Sequence, residues 1–209
     1  MVDPIFSPAG AMPPTPNTPQ QSLSSLLDID AVIVTHLHRD HFDEVAIQRL
    51  AKHISVFCQL ADKNSLIQHV FTQVLSVDDR CYWQGIQIIR TGGQHGTGEL
   101  AQKMGPVSGF VLQVEEEPSL YIVGDSVCCQ EVEEALQQYR PEIAVVNAGA
   151  AQFLEGDPIT MDVEDLLQMS LACPTLQVIA VHMEAWNHCL LTRAKLRKWV
   201  KEKGLSERI

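Results

Sequence analysis

The stretch Thr35-His36-Leu37-His38-Arg39-Asp40-His41 places four potential metal ligands within six residues. It follows the apolar run Ala31-Val32-Ile33-Val34, where a buried strand would end and a loop begin. Neutral imidazole and carboxylate oxygen suit Zn²⁺ and other first-row divalent ions. An irregular turn points alternate side chains at different centres, so His36 and His38 are expected to serve one ion and Asp40 and His41 another. The plainer alternative is a His-rich surface loop. The H-x-H-x-D-H spacing directly after a strand argues for metal.

If that turn binds metal, further ligands belong at the ends of later strands, and three candidates stand there. His95 lies in Thr91-Gly92-Gly93-Gln94-His95-Gly96-Thr97-Gly98, where glycines let backbone pass close to an ion or substrate. The alternative of a phosphate cradle lacks the Lys and following helix of a P-loop. Asp125 follows the run Tyr121-Ile122-Val123-Gly124 and is a candidate bridging carboxylate, or else a cap for a helix near residue 130. His182 ends Gln177-Val178-Ile179-Ala180-Val181, with a satisfied core histidine as its alternative. In the segment from His182 to Cys189, His188 is a candidate proton donor to a leaving group or a substrate contact; the alternative is a supporting or surface residue. Cys189 draws notice by its place beside that cluster. Arg39 is expected to buttress its loop, with contact to an anionic group as the alternative. His53 and His69 fall at helix ends and read as charges favourable to the helix dipole.

The elements that must position these residues alternate along the chain. Strands are expected at 31–35, 54–58, 73–77, 86–91, 108–115, 119–123, 143–147 and 177–181, and helices at 43–52, 61–69, 130–139, 161–172 and 192–202. Glu116-Glu117-Pro118 between two strands reads as a hairpin turn. Thr160 and Thr192 are expected N-caps and Gly204 a C-terminal stop. Six of the eleven prolines lie in the first twenty residues, so 1–30 is expected to be a Pro-rich segment, a tail or a pinned loop, and 31–209 the functional domain. The order of strands and helices indicates an α/β sandwich with helices on its outer faces.

A length of 209 residues suits a single core, and 45% hydrophobic with 20% charged residues is an ordinary globular balance. A formal net charge of −11 is not that of a protein held to phosphate backbones. Seven of the fifteen Lys and Arg residues fall between Arg193 and Arg208, read as the solvated face of a last helix or a docking patch. No run reaches membrane-spanning length and no signal peptide opens the chain. Six cysteines without C-x-x-C spacing read as reduced thiols in a cytoplasmic protein.

Taken together, His36-x-His38-x-Asp40-His41, His95, Asp125 within Val123-Gly124-Asp125, and His182 resemble the metallo-β-lactamase superfamily in order and spacing. The resemblance runs from residue 30 across almost the whole chain. It implies an αββα sandwich with a dinuclear site at one edge between the sheets. His36, His38 and His95 would hold one ion, Asp40, His41 and His182 the second, and Asp125 would bridge them. Within the superfamily the chain looks like the compact branch that includes the L-ascorbate-6-phosphate lactonase. The opening Val2-Asp3-Pro4 looks like the segment after that family's first hairpin, which is missing here, so a truncated form or a wrongly started reading frame is expected. Lost edge strands would expose apolar sheet surface.

The resemblance implies two divalent ions as cofactors, Zn²⁺ first, with Mn²⁺ or Fe as alternatives. A hydroxide bridging them would attack an ester, lactone, amide or phosphodiester centre, oriented by Asp40. The expected partner is a small-molecule substrate, with neither nucleic acid nor membrane. Two rival readings are a nucleic-acid phosphodiesterase, against which the acidic composition and short length argue, and a truncated, non-catalytic metal-binding remnant.

Overall fold

The computed structural model describes residues 1–8, 26–184 and 186–209. Much of the Pro-rich segment, including Met12 and four of its prolines, therefore lies outside the described residues, as does Ala185. Two compact units are present, Met1–Asp78 and Asp79–Ile209.

The first unit is built on a parallel sheet of β1 (Ala31–Val34), β2 (Ser55–Cys58) and β3 (Gln73–Ser76), in that order. Val32 and Val34 are fully buried and all four residues of β2 are buried. Such continuous apolar runs, rather than alternation, mark parallel strands covered on both faces. The first residues extend this sheet: Val2 bridges Ile33 in parallel, and Asp3 N–H donates to Ile33 O at 3.0 Å. Helix α1 (Glu44–Arg49) starts at Asp43, whose Oδ1 accepts from Ala46 N–H while its Oδ2 accepts from Phe6 and Ser7 N–H. One carboxylate thus caps a helix and pins the chain's opening segment. A 3₁₀ turn (Leu60–Asp62) leads into α2 (Lys63–Gln68), and His69 is its C-cap, as expected. His53, by contrast, lies beyond the end of α1. The core gathers Val32, Val34, Phe42, Ala46, Val56, Leu66 and Phe71.

The second unit holds a six-stranded sheet ordered β4 (Arg80–Trp83), β5 (Ile86–Thr91), β6 (Gly109–Gln113), β7 (Leu120–Ile122), β8 (Ile143–Asn147) and β9 (Gln177–Val181). Pairing is antiparallel from β4 to β7 and parallel from β7 to β9. The expected hairpin is the β6–β7 pair. Parallel neighbours need crossovers, which α4 (Gln130–Tyr139) and α5 (Val163–Ala172) supply. Val132 and Leu136 of α4 and Leu166 and Met169 of α5 are fully buried in the unit's core. Helix α6 (Arg193–Lys203) closes the unit, capped by Thr192 and stopped by Gly204 at φ +69°.

Two elements differ from expectation by being present. Strand β4 turns into β5 through Gln84-Gly85, both at positive φ, the geometry of a tight two-residue hairpin. Helix α3 (Gly98–Met104) leaves Leu100, Ala101 and Met104 only half-buried, a stripe too short to read. Thr160 is not the cap of α5. Asp162 is, in a reciprocal capping box with Asp165, while the Thr160 hydroxyl is buried and accepts from Ala151 N–H at 2.9 Å. Asp125 does not cap α4 either, since that helix starts at Cys129. Among the described residues no helix is long and apolar enough to cross a membrane.

Candidate metal centre

In the first unit the loop leaving β1 is organised by Asp3. Its Oδ1 accepts from Thr35 N–H at 2.8 Å, and its Oδ2 accepts from the Thr35 hydroxyl at 2.7 Å and from His41 Nδ1 at 2.9 Å. These bonds set proton positions. A carboxylate can only accept, so His41 carries its proton on Nδ1, and the neutral ring keeps its lone pair on Nε2. The single Thr35 proton goes to Asp3, so the hydroxyl must accept from His36 Nδ1, 2.9 Å away. His36 therefore also presents the Nε2 lone pair. That atom lies 3.0 Å from His38 Nδ1. Such a separation is close to what two imidazoles adopt on one ion with bonds of about 2.0–2.1 Å. Asp40 and His41 likewise each offer a ligand atom within 4.8 Å of the other. His36 and His41 are 2% exposed, so their rings are desolvated and held.

Asp62 also acts on this loop. Burial pushes its carboxyl up from the usual range, while the Gln59 amide at 2.9 Å and the nearby His38 ring draw it down. Arg39 is exposed and lines a cavity of about 400 Å³ with Asp43, Glu44 and His69.

In the second unit, the loops after β5 and β7 lock each other. Gln94 N–H donates to Ser126 Oγ at 2.9 Å, and Val127 N–H donates to Gln94 O at 2.9 Å. His95 follows, its Nδ1 donating to Ile159 O at 2.7 Å. The neutral His95 ring then aims the Nε2 lone pair at Asp125 Oδ2, 3.4 Å away. Two lone pairs facing each other repel. A proton on Nε2 or a cation between the two atoms removes that repulsion. The other oxygen, Asp125 Oδ1, accepts from Asn147 Nδ2 at 2.6 Å, which fixes the carboxylate's orientation. Gly96 is at φ +88°, and a Cβ there would sit 3.0 Å from the Ile159 side chain, so the turn carrying His95 requires glycine.

His182, just past β9, adopts φ +55°, a left-handed conformation uncommon for a residue with a side chain. A ligand atom of His182 and one of Asp125 lie within 4.8 Å of each other. Cys189 is buried behind it, its Sγ donating to His182 O at 3.6 Å and standing 3.9 Å from Nδ1. Gly149 makes room, because a Cβ there would meet His182 O at 2.5 Å. His188 is half-buried with its ring nearly parallel to Phe153 at 12°, centroids 6.2 Å apart.

Each unit thus gathers its own share of the expected residues: His36, His38, Asp40 and His41 in the first, His95, Asp125 and His182 in the second. The donor set is imidazole and carboxylate, buried or half-buried, with Nδ1 of His36, His41 and His95 engaged by hydrogen bonds, which fits a divalent cation. Asp3 and Asn147 are the positioning residues that sequence reading missed. Asn147 carried a signal, since it closes the apolar run of β8 much as Asp125 and His182 follow those of β7 and β9. Asp3 carried none beyond its place before Pro4.

Residues 1–183 match the beta-lactamase superfamily domain. UPF0173 protein YddR of Bacillus subtilis (strain 168) is 39% identical over 223 residues, spanning 100% of this chain and 88% of that protein. Among solved structures, a possible metal-dependent hydrolase from Veillonella parvula DSM 2008 is 33% identical with a TM-score of 0.94, over 99% of this chain and 87% of the other. Isothiocyanate hydrolase from Delia radicum gut bacteria is likewise 33% identical with a TM-score of 0.94, over 100% and 87%. The chain belongs to the beta-lactamase superfamily, and its two sheets with their flanking helices have the fold of the metal-dependent hydrolases of that group.

Proposed function

We propose that the chain is a hydrolase of small molecules that holds two divalent ions, Zn²⁺ first, through His36, His38 and His95, and through Asp40, His41 and His182, with Asp125 bridging. The observation that carries this reading is the set of Nδ1 hydrogen bonds: in the neutral rings, Asp3 and Thr35 leave the Nε2 lone pair on His36 and His41, and Ile159 O does so on His95. When bound, such ions supply water acidic enough to act as a nucleophile at neutral pH and polarise the substrate oxygen. Asp40 orients that nucleophile through its carboxylate. His188 donates a proton to the leaving group or binds the substrate. Asn147 and Asp3 hold the ligands still, so little reorganisation is needed during reaction.

The electrophile is an ester, lactone, amide or phosphodiester. The similarity to an isothiocyanate hydrolase adds the carbon of a heterocumulene to that set. Six free cysteines support a cytoplasmic setting. The test is a panel of lactones, phosphodiesters, thioesters and isothiocyanates with metal-loaded protein. Turnover by the wild type and its loss in Asp40→Ala are expected; full activity in Asp40→Ala refutes the assigned role. His188→Ala with complete metal occupancy and unaltered kinetics would remove His188 from the mechanism.

A further inference from the structure

The loop between β8 and α5 is built to hold two large apolar side chains in water. Its neck is closed by Ala150 N–H to Met161 O at 3.0 Å, Ile159 N–H to Ala151 O at 2.7 Å and Ala151 N–H to Thr160 Oγ1 at 2.9 Å. The tip, residues 152–158, is pinned on both sides. Gln152 N–H donates to His188 O at 2.9 Å, and the Thr97 hydroxyl donates to Asp157 Oδ2 at 3.1 Å. Across the tip, Gln152 Nε2 donates to Gly156 O at 2.5 Å. The tip therefore stands tied to the segment that follows His182 and to the one that follows His95, while the neck carries the Ile159 carbonyl that orients His95. On this fixed support Phe153 is 48% exposed and Leu154 fully exposed.

Ordering a loop by so many polar contacts while leaving its two apolar residues hydrated forgoes their burial energy, unless something else covers them. The ties at both flanks indicate what does. We propose that Phe153 and Leu154, with the His188 ring lying parallel behind Phe153, form an apolar lip that takes the non-reacting alkyl or aryl group of the substrate. This rests on the hydrolytic reading above and narrows its substrate class to electrophiles carrying an apolar substituent. Selectivity then follows chain length, because each methylene laid on the lip loses part of its contact with water.

The test uses full-length, Zn²⁺-loaded protein and straight-chain alkyl hydroxamates from acetyl to heptanoyl, which bind metal through one end whether or not the true substrate is known. Calorimetry reads affinity without any turnover. Half-burial of each added CH₂ gives about a twofold gain per methylene, roughly 30-fold across the series. In the double variant Phe153→Ser, Leu154→Ser the gain is expected to shrink to about threefold or less, with acetohydroxamate affinity unchanged. Both side chains are on the surface, so unchanged melting checks that the variant is folded. An equally steep series in both proteins overturns the lip, as does a flat series in the wild type. A dimer that dissociates in the variant while length dependence persists also overturns it, since the pair then serves self-association. Hydroxamates of no length binding to loaded protein overturns the hydrolytic reading and the lip with it.

Discussion

Replacing Asp3 with Asn changes one oxygen to an NH₂ group and should weaken metal binding out of proportion to its size. The carboxylate accepts three hydrogen bonds, one at Oδ1 and two at Oδ2, from Thr35 and His41. An amide cannot reproduce that pattern. With its NH₂ in the Oδ1 place it faces Thr35 N–H; in the Oδ2 place it faces the Thr35 hydroxyl and His41 Nδ1–H. The second arrangement is relieved only if the Thr35 hydroxyl reverses and donates to His36 Nδ1, and the His41 proton moves from Nδ1 to Nε2. The His36 proton then moves to Nε2, the atom 3.0 Å from His38. A ligand nitrogen that must first lose a proton binds more weakly, and loss of such outer partners typically costs 10–100-fold in metal affinity, about 1.4–2.7 kcal/mol. Competition with a chelator gives the affinity, and ¹⁵N-detected NMR of the rings gives the tautomers of His36 and His41. Asp3→Ala should cost stability as well: bonds to a charged acceptor are worth about 1.5–3 kcal/mol each, and donors in the buried Thr35 and His41 are left behind. Since the bonds are coupled, a total of roughly 3–5 kcal/mol is expected from denaturant unfolding. Wild-type metal affinity with unchanged tautomers in Asp3→Asn would refute the reasoning.

Three further outcomes follow from named contacts. Gly96→Ala imposes a side chain at φ +88° against Ile159 and should lower stability by about 1–3 kcal/mol and weaken metal binding through His95; an unaltered melting curve would contradict this. Burial, then Asp165 and Glu133, push the Cys128 thiol up to about 12 from 9.0, so the thiol stays protonated and iodoacetamide labelling at pH 8 should be roughly a thousandfold slower than in unfolded chain. Labelling at the unfolded rate would show that the site is open. Asn147→Leu removes the donor to Asp125 and should lower metal affinity at least tenfold while leaving the Asp3-held tautomers unchanged; equal affinity would make Asn147 merely structural.

How far the chain could be read beforehand depended on the range of the interactions concerned. The places of the candidate ligands at strand ends were legible because each follows an apolar run whose length and branching already state a strand. Capping by Thr192 and Gly204 was legible for the same reason, being local chemistry. Thr160 misled because its hydroxyl serves a backbone N–H nine residues away, and Asp162 caps instead. Helix α3 was invisible because it is short and only half-buries Leu100, Ala101 and Met104. Strand β4 was invisible because its burial alternates over only four residues and one outward position is the aromatic Tyr82, which hides the alternation in the sequence. Asp3 was the most consequential miss, since its partner His41 is 38 residues away and only folding brings them together.

The central claim is that seven side chains hold two divalent ions. Elemental analysis of protein reloaded with Zn²⁺ and freed of excess tests it most directly, beside Asp125→Ala and His36→Ala. Two ions per chain in the wild type, and fewer than two in each variant, are what the account expects. A wild type that retains no ion, or variants that retain both, would contradict it.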